Sequence, residues 1–144
     1  MLNSISILCF FLMVVSLGAL GLLRGLISFN PLLIAVQVLA IGLMIWARVA
    51  FGHRSFHASA NPTDGGLVTS GPYGFIRHPI YTAACLFTLA GVLGHLTILN
   101  LALLSLVILG AIGRLECEER LLVEDYPDYR EYIKKTKRMI PGVY

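Results

Sequence analysis

Residues 5–23, ISILCFFLMVVSLGALGLL, run for 19 positions without a charge. A helix needs about 20 apolar residues to cross the hydrocarbon core of a bilayer. The run therefore reads as a membrane span. It lacks the basic flank and small-residue cleavage site of a removed signal peptide, and so reads as a retained helix.

The same feature recurs. PLLIAVQVLAIGLMIWARVAF (31–51) is a second run, announced by the helix-start pair Asn30-Pro31. Gln37 is its one mid-span polar residue, and Trp46 and Arg48 suit the membrane interface. A third run begins at Pro79 and reaches about Gly94. Proline fits the first helical position because its missing N–H has no helical partner to lose. The fourth, LTILNLALLSLVILGAIG (96–113), follows directly after Gly94-His95, and so short a connection predicts an antiparallel hairpin. These last two runs are only just long enough to span, with little tilt or in a locally thinned bilayer.

Charge is distributed accordingly. Residues 1–113 hold four basic residues (Arg24, Arg48, Arg54, Arg77) and one acidic residue, Asp64. The last 31 residues hold seven of each sign. Charged residues make up 13% of the chain, against roughly 25% in soluble domains. The net charge of +3 is too small and too dispersed for nucleic-acid binding. Cys9, Cys85 and Cys117 have no metal-like spacing and read as buried small hydrophobes. No histidine pair shares a helical face with an acid, so metal binding is not expected. There is no P-loop, and no GxGxxG ahead of a helix, which excludes a Rossmann cofactor domain.

Residues 52–77 carry Gly52, Asn61, Pro62, Gly65, Gly66, Gly71 and Pro72, too many breakers for a span. They read as an ordered loop. The tail continues the fourth helix until Tyr126-Pro127, then forms a short helix that Pro141 ends. The expected architecture is one all-α integral membrane domain over residues 1–144. Its helices cover about 5–23, 31–51, 79–94, 96–124 and 128–138, about four of them transmembrane, with the loop at 52–78. The positive-inside rule places the loop, the C-terminal tail and the N-terminus together on the cytoplasmic side, which is the inner membrane if the source is bacterial. Arg24 dissents mildly.

Loop and tail then meet at one membrane face. His78 and Tyr81 are three apart, and Arg114 and Glu118 four apart, so each pair shares a helical face. An antiparallel hairpin brings the two pairs into one small volume, roofed by the loop. Each residue also has a plainer reading. Arg77 and His78 fit interfacial anchors; Tyr73, Tyr81, Tyr126, Tyr129 and Tyr132 fit an aromatic belt. Glu116, Glu118 and Glu119 fit a solvated face. His53, His57 and His95 read as structural or surface residues.

Taken jointly, the motifs are more specific. LVTSGPYGFIRHPIY (67–81) resembles the cofactor-loop signature of the isoprenylcysteine carboxyl methyltransferase family. Arg114, Glu118-Glu119 and Tyr129-x-x-Tyr132 resemble the same family's downstream pattern, which closes on the Ile140-Pro141 pair. WARVAFGHRSF (46–56) is similar to that family and to its phospholipid-methyltransferase relatives. The likeness runs from about residue 46 to 141.

The resemblance implies a membrane enzyme that uses S-adenosyl-L-methionine and releases S-adenosyl-L-homocysteine. It implies cofactor contacts at Gly66, Leu67, Val68, Tyr73, His78, Pro79, Ile80, Tyr81 and Glu118. Arg114 corresponds to a position facing the methyl acceptor, and Arg114 and Glu118 are the expected catalytic pair. Where the family commonly presents glutamine to the cofactor, this chain has the neighbourhood of Ala58. The acceptor implied is lipophilic: a prenylcysteine-type carboxylate, or a related isoprenoid or lipid acid. Phospholipid amine N-methylation is the alternative, and a non-catalytic membrane scaffold the alternative of another class. Larger relatives carry extra N-terminal spans, so a substrate groove built from them would be missing here or formed by a second protomer. Chemically, Arg114 suits a carboxylate, and Glu118 suits an amino group or ribose hydroxyls. Arg77 and His78, at a helix start, suit the anionic part of a cofactor.

Overall fold

A computed structural model describes residues 2–52 and 67–144. The described residues form helices α1 (Leu2–Leu22), α2 (Pro31–Phe51), α3 (Pro79–Gly94), α4 (Ile98–Asp125) and α5 (Tyr129–Lys135). A short 3-10 turn covers Gly71–Gly74. Among the described residues there is no strand, only an isolated parallel bridge between Ile76 and Lys137. Residues 53–66, which include Arg54, His53, His57, Ala58 and the expected cofactor residue Gly66, lie outside the described residues.

Three helices, α1, α2 and α4, are long and apolar enough to cross a membrane. The third apolar run forms α3, with 16 residues. At 1.5 Å per residue its length is about 24 Å, short of a hydrocarbon core of about 30 Å. Of the four expected spans, α3 is thus the marginal one. The outward faces are strongly apolar: Leu8, Phe11 and Val15 on α1, and Val38, Leu39 and Val49 on α2, are exposed. In water such faces would be a liability; a bilayer covers them.

Sequence neighbours are not always spatial neighbours. α1 packs mainly on α4, α4 on α3, and α3 on α2. The buried stripe of α1 is Ser6, Met13, Ser16 and Leu20, a helical spacing that presents one face to α4. Gly110 and Gly113 let the two backbones approach. A Cβ at Gly110 would lie 2.6 Å from Met13 Cγ, and one at Gly113 would lie 2.6 Å from Cys9 Sγ. Towards the other end Leu20 joins Val92, Leu104 and Val107 in the core. Rising numbers on α1 meet falling numbers on α4, so the two are antiparallel. The start of α1 therefore lies beside the charged end of α4.

The expected local signals are present. Asn30 caps α2, its Oδ1 accepting from Leu32 N at 3.0 Å. Pro79 opens α3. Thr97 caps α4, accepting from Asn100 N at 3.1 Å. Gln37 is buried and joins three segments. Its Nε2 donates to Leu26 O at 2.8 Å and Phe87 O at 3.2 Å, and its Oε1 accepts from Ser28 N at 3.2 Å. It thereby satisfies loop backbone inside the bundle, where water is scarce. This α1–α2 connection presses on α3 at Gly91.

The tail departs from expectation. A helix over 128–138 was expected, but α5 ends at Lys135. Residues 136–138 instead run beside the segment before α3. Arg77 N donates to Lys137 O at 2.7 Å, and His78 N donates to Arg138 O at 2.9 Å. Pairing with residues 60 positions away takes the place of another helical turn, a tertiary choice that local propensity does not carry.

A Cβ at Gly91 would stand 2.2 Å from Leu26 O, whereas one at Gly42 meets nothing within 4 Å. Gly91→Ala is expected to destabilise the protein by about 1–3 kcal/mol through overpacking, and Gly42→Ala not to destabilise it. Thermal unfolding in detergent compares the two.

Candidate active site

The charged end of α4 meets the start of α3, the 3-10 turn and the tail. All members of the expected constellation in the described residues gather there. Tyr81 Oη donates to Glu118 Oε1 at 2.5 Å. Arg114 Nε lies 2.5 Å from Tyr81 Oη and 3.1 Å from Glu118 Oε1. His78 Nδ1 stands 3.8 Å from Glu118 Oε2. The i,i+3 and i,i+4 spacings of the sequence thus converge across the α3–α4 hairpin as expected. Pro79 is fully buried, and Ile80 is half-buried in the first turn of α3.

Arg114 is enclosed. Its side chain is 5% exposed, and its guanidinium carbon lies 5.0 Å from the centroid of the Phe10 ring, a cation–π arrangement. Glu118 is the more open partner, with a side chain 22% exposed.

Glu119, for which a solvated face is the plainer reading of the sequence, is buried instead. Its Oε1 accepts from Arg77 Nε at 2.7 Å and contacts His78 Nε2 at 3.1 Å. Its Oε2 accepts from Arg138 Nε at 3.0 Å. One helical step of about 100° separates Glu118 from Glu119 and turns them to different surroundings. Arg77 is also placed differently from expectation. Besides Glu119, its guanidinium donates to the carbonyls of Thr136 at 2.5 Å and Ile133 at 3.4 Å. It joins the loop to the tail rather than standing open for an anion. Arg138 and Thr136 were not anticipated at all. Only the Glu-Glu pair hinted that two neighbouring carboxylates would find different partners.

Beside this cluster lies a half-open cleft. Leu67, Val68 and Tyr73 line it from the loop, and Leu122, Tyr126 and Tyr129 from α4 and the tail, with Arg77 among the lining residues. Three expected cofactor residues, Leu67, Val68 and Tyr73, therefore face the cleft. His78, Tyr81 and Glu118 form the adjoining cluster. Burial first, then the neighbouring Tyr132 and Glu118, raises the Tyr73 phenol above its ordinary range; burial and Glu119 do the same for Tyr129. Burial pushes Tyr132 up to about 12. These phenols remain protonated donors at neutral pH, and Tyr132 Oη donates to Tyr73 O at 2.6 Å, tying tail to turn. Gly71, at φ 61, makes that turn possible: a Cβ there would lie 3.0 Å from Ala50 Cβ, in a conformation that favours glycine.

The geometry describes a buried polar cluster and, beside it, a cleft with mainly aliphatic and aromatic walls, at one end of an apolar helical bundle. A family model described as phospholipid methyltransferase matches residues 26–129, and the chain belongs to that family. The match takes in the loop, α3, α4 and the start of α5, and leaves α1 outside. The chain is also similar to the cobalt-zinc-cadmium resistance protein CzcN of Cupriavidus metallidurans. They are 26% identical over 121 residues, covering 78% of this chain and 50% of CzcN. The chain thus spans about half the length of that curated relative. No solved structure matches the chain.

Removing one partner of a buried charge leaves the other uncompensated, at a cost of about 3–5 kcal/mol. Arg77→Met leaves Glu119 with Arg138 and His78, and is therefore expected to lower stability by less than that amount but measurably. Lys134→Ala, which removes an exposed pair with Glu131 at 2.6 Å, is expected to change little. Chemical unfolding in detergent compares the two.

Proposed function

We propose that the protein is a membrane methyltransferase that binds S-adenosyl-L-methionine at the cleft and methylates a lipophilic acceptor. The observation that carries the reading is the adjacency of the Leu67, Val68 and Tyr73 cleft to the His78, Tyr81 and Glu118 cluster, in a chain of the phospholipid methyltransferase family. The residues fit the cofactor in kind. The cleft offers aromatic and aliphatic walls for a flat ring system. The cluster offers carboxylate and imidazole acceptors for amino and hydroxyl groups. When bound, the cofactor would supply an electrophilic methyl carbon, which passes to an acceptor lone pair as its bond to the sulfonium sulfur breaks and neutral S-adenosyl-L-homocysteine leaves.

The chain's own contribution is then positioning. Holding reactants in line can lower a barrier by roughly 7–11 kcal/mol relative to free encounter. The apolar faces of the bundle keep a lipid acceptor at the depth of the cleft. Tyr81 and Arg114 hold Glu118 Oε1, which sets the direction of its other oxygen. Arg114 is the residue suited to a carboxylate acceptor, such as an isoprenoid or lipid acid. A second reading, N-methylation of a phospholipid amine, draws on the more open Glu118, which is suited to take a proton from an amine. The resistance role in the name of CzcN stays with that relative.

Calorimetry with S-adenosyl-L-homocysteine tests cofactor binding. Folded wild type is expected to bind; no binding would favour a scaffold that keeps the fold. A labelled-methyl assay with a lipid acid and an aminophospholipid separates the acceptors. Arg114→Ala is expected to reduce turnover of the acid at least about tenfold, the weight of one lost charge-assisted hydrogen bond, and to reduce turnover of the amine less, because there it acts only through Glu118. The reverse pattern would select the amine reading.

A further inference from the structure

We propose that the end of the bundle remote from the polar cluster is a lipid-facing cap. The two connections that close it, residues 23–30 and 95–97, lie within the leaflet opposite the cluster and not in the water beyond it. Arg24 ties the cap to the headgroups of that leaflet.

Non-helical backbone is tolerated at membrane depth only where protein satisfies its polar groups, because no water is at hand to do so. Side chains do that work here. Gln37 takes Leu26 O and Ser28 N. His95 Nε2 donates to Ile27 O at 2.9 Å, and Asn100 Nδ2 donates to His95 O at 2.7 Å. Ser28 Oγ accepts from Asn30 N at 3.1 Å. The end of α1 closes on itself: Arg24 N donates to Gly21 O at 3.1 Å, and Gly25 N to Leu20 O at 2.8 Å. The connection also packs into the α3–α4 hairpin. A Cβ at Gly94 would stand 2.2 Å from Ser28 Oγ, and one at Gly25 would stand 2.7 Å from Asn100 Nδ2. A connection lying in water has little need of such partners, since water can supply them.

The outside of the cap is apolar. Leu22, Phe29 and Ile98 are 88%, 80% and 89% exposed, and Ile27 and Leu96 are exposed as well. Arg24 is the one Lys, Arg, Asp or Glu in residues 1–47, and residues 78–113 contain none. Helix lengths set the depth. From Arg114, in the polar cluster, α4 runs about 24 Å to its start at Ile98, and α3 is about as long. α1, with 21 residues, is about 31 Å long. None of them carries the cap clear of a hydrocarbon core of about 30 Å. Copies of the chain in one bilayer meet side by side, whereas the cap closes the end of the bundle, so lipid and not a second copy stands over it. Arg24 is exposed at the end of α1. An arginine there can lay its apolar stem in the core and raise its guanidinium to phosphate. The residue that dissents from the positive-inside rule thereby gains a role.

Tryptophan fluorescence of the full chain in phosphatidylcholine vesicles reads the surroundings of the cap. Trp46 is the chain's one tryptophan and lies towards the other end of α2, so Trp46→Phe gives a silent background. Phe29→Trp and Ile98→Trp are added to it singly, at positions open enough for an indole. Lys134→Trp, on the exposed tail, is the reference in water. Both cap indoles should emit at shorter wavelength than the reference, lose emission to lipids brominated on the acyl chains, and resist aqueous iodide several-fold better. The same substitutions beside Trp46 give the result by difference if the background is unstable. A cap indole as open to iodide as the reference would overturn the proposal. So would one that neither iodide nor brominated lipid reaches, the result for a cap covered by protein.

Lipids brominated at graded depths then test Arg24. In the Phe29→Trp protein the strongest quenching should come from bromines high on the acyl chain, near the headgroups. Adding Arg24→Leu should let the cap sink, which moves the strongest quenching to bromines lower on the chain. Arg24→Lys, which keeps the charge, should leave the profile of the parent in place. A profile that Arg24→Leu does not move, or that Arg24→Lys moves as far, would overturn the anchoring role of Arg24.

Discussion

A buried carboxylate with its donors holds the polar end of this molecule together. Glu119 sits where α4 meets the start of α3 and the tail, and its two oxygens are taken by Arg77, His78 and Arg138. Burying a carboxylate alone is prohibitive; with cations and hydrogen bonds on both oxygens it becomes tolerable. Those partners come from segments far apart in the chain, residues 77–78 and residue 138. The polar cluster is therefore completed by the docked tail. The backbone pairs of Arg77 and His78 with Lys137 and Arg138, and the Tyr132 bond to the Tyr73 carbonyl, reinforce the same junction.

That junction lets a small bundle carry a polar site without breaching its apolar body. The charges of the α3–α4 end neutralise one another locally, and the outward faces of α1 and α2 keep their apolar character. α1 contributes from outside the region that matches the family. It packs along α4 through Gly110 and Gly113 and lays Phe10 over Arg114. The guanidinium is thus covered by an aromatic face where the bundle turns towards lipid. The order α1–α4–α3–α2 puts the two helices that bear the site, α3 and α4, in the middle.

Much of this was legible in the chain. The apolar runs gave four helices within a few residues of their observed ends, because inside a bilayer the backbone has few other ways to satisfy itself. Asn30-Pro31 and Pro79 marked helix starts by local rules that need no tertiary context. The helical spacing of His78 with Tyr81, and of Arg114 with Glu118, combined with one short hairpin to bring four side chains together. The failures share a cause. The end of α5, the burial of Glu119 and the inward turn of Arg77 all depend on residues 136–138 lying beside residues 76–78. No local pattern encodes that pairing.

By itself the sequence determined what short-range forces decide: an all-helical membrane body, its helix starts, and which polar residues share a helical face. Only the tertiary structure decided which of two neighbouring glutamates is enclosed and which is reachable. Helix periodicity turns Glu118 and Glu119 apart by about 100°, but it does not say what stands on either side. That was settled by the tail, whose Arg138 makes burial of Glu119 tolerable and leaves Glu118 as the more open acid.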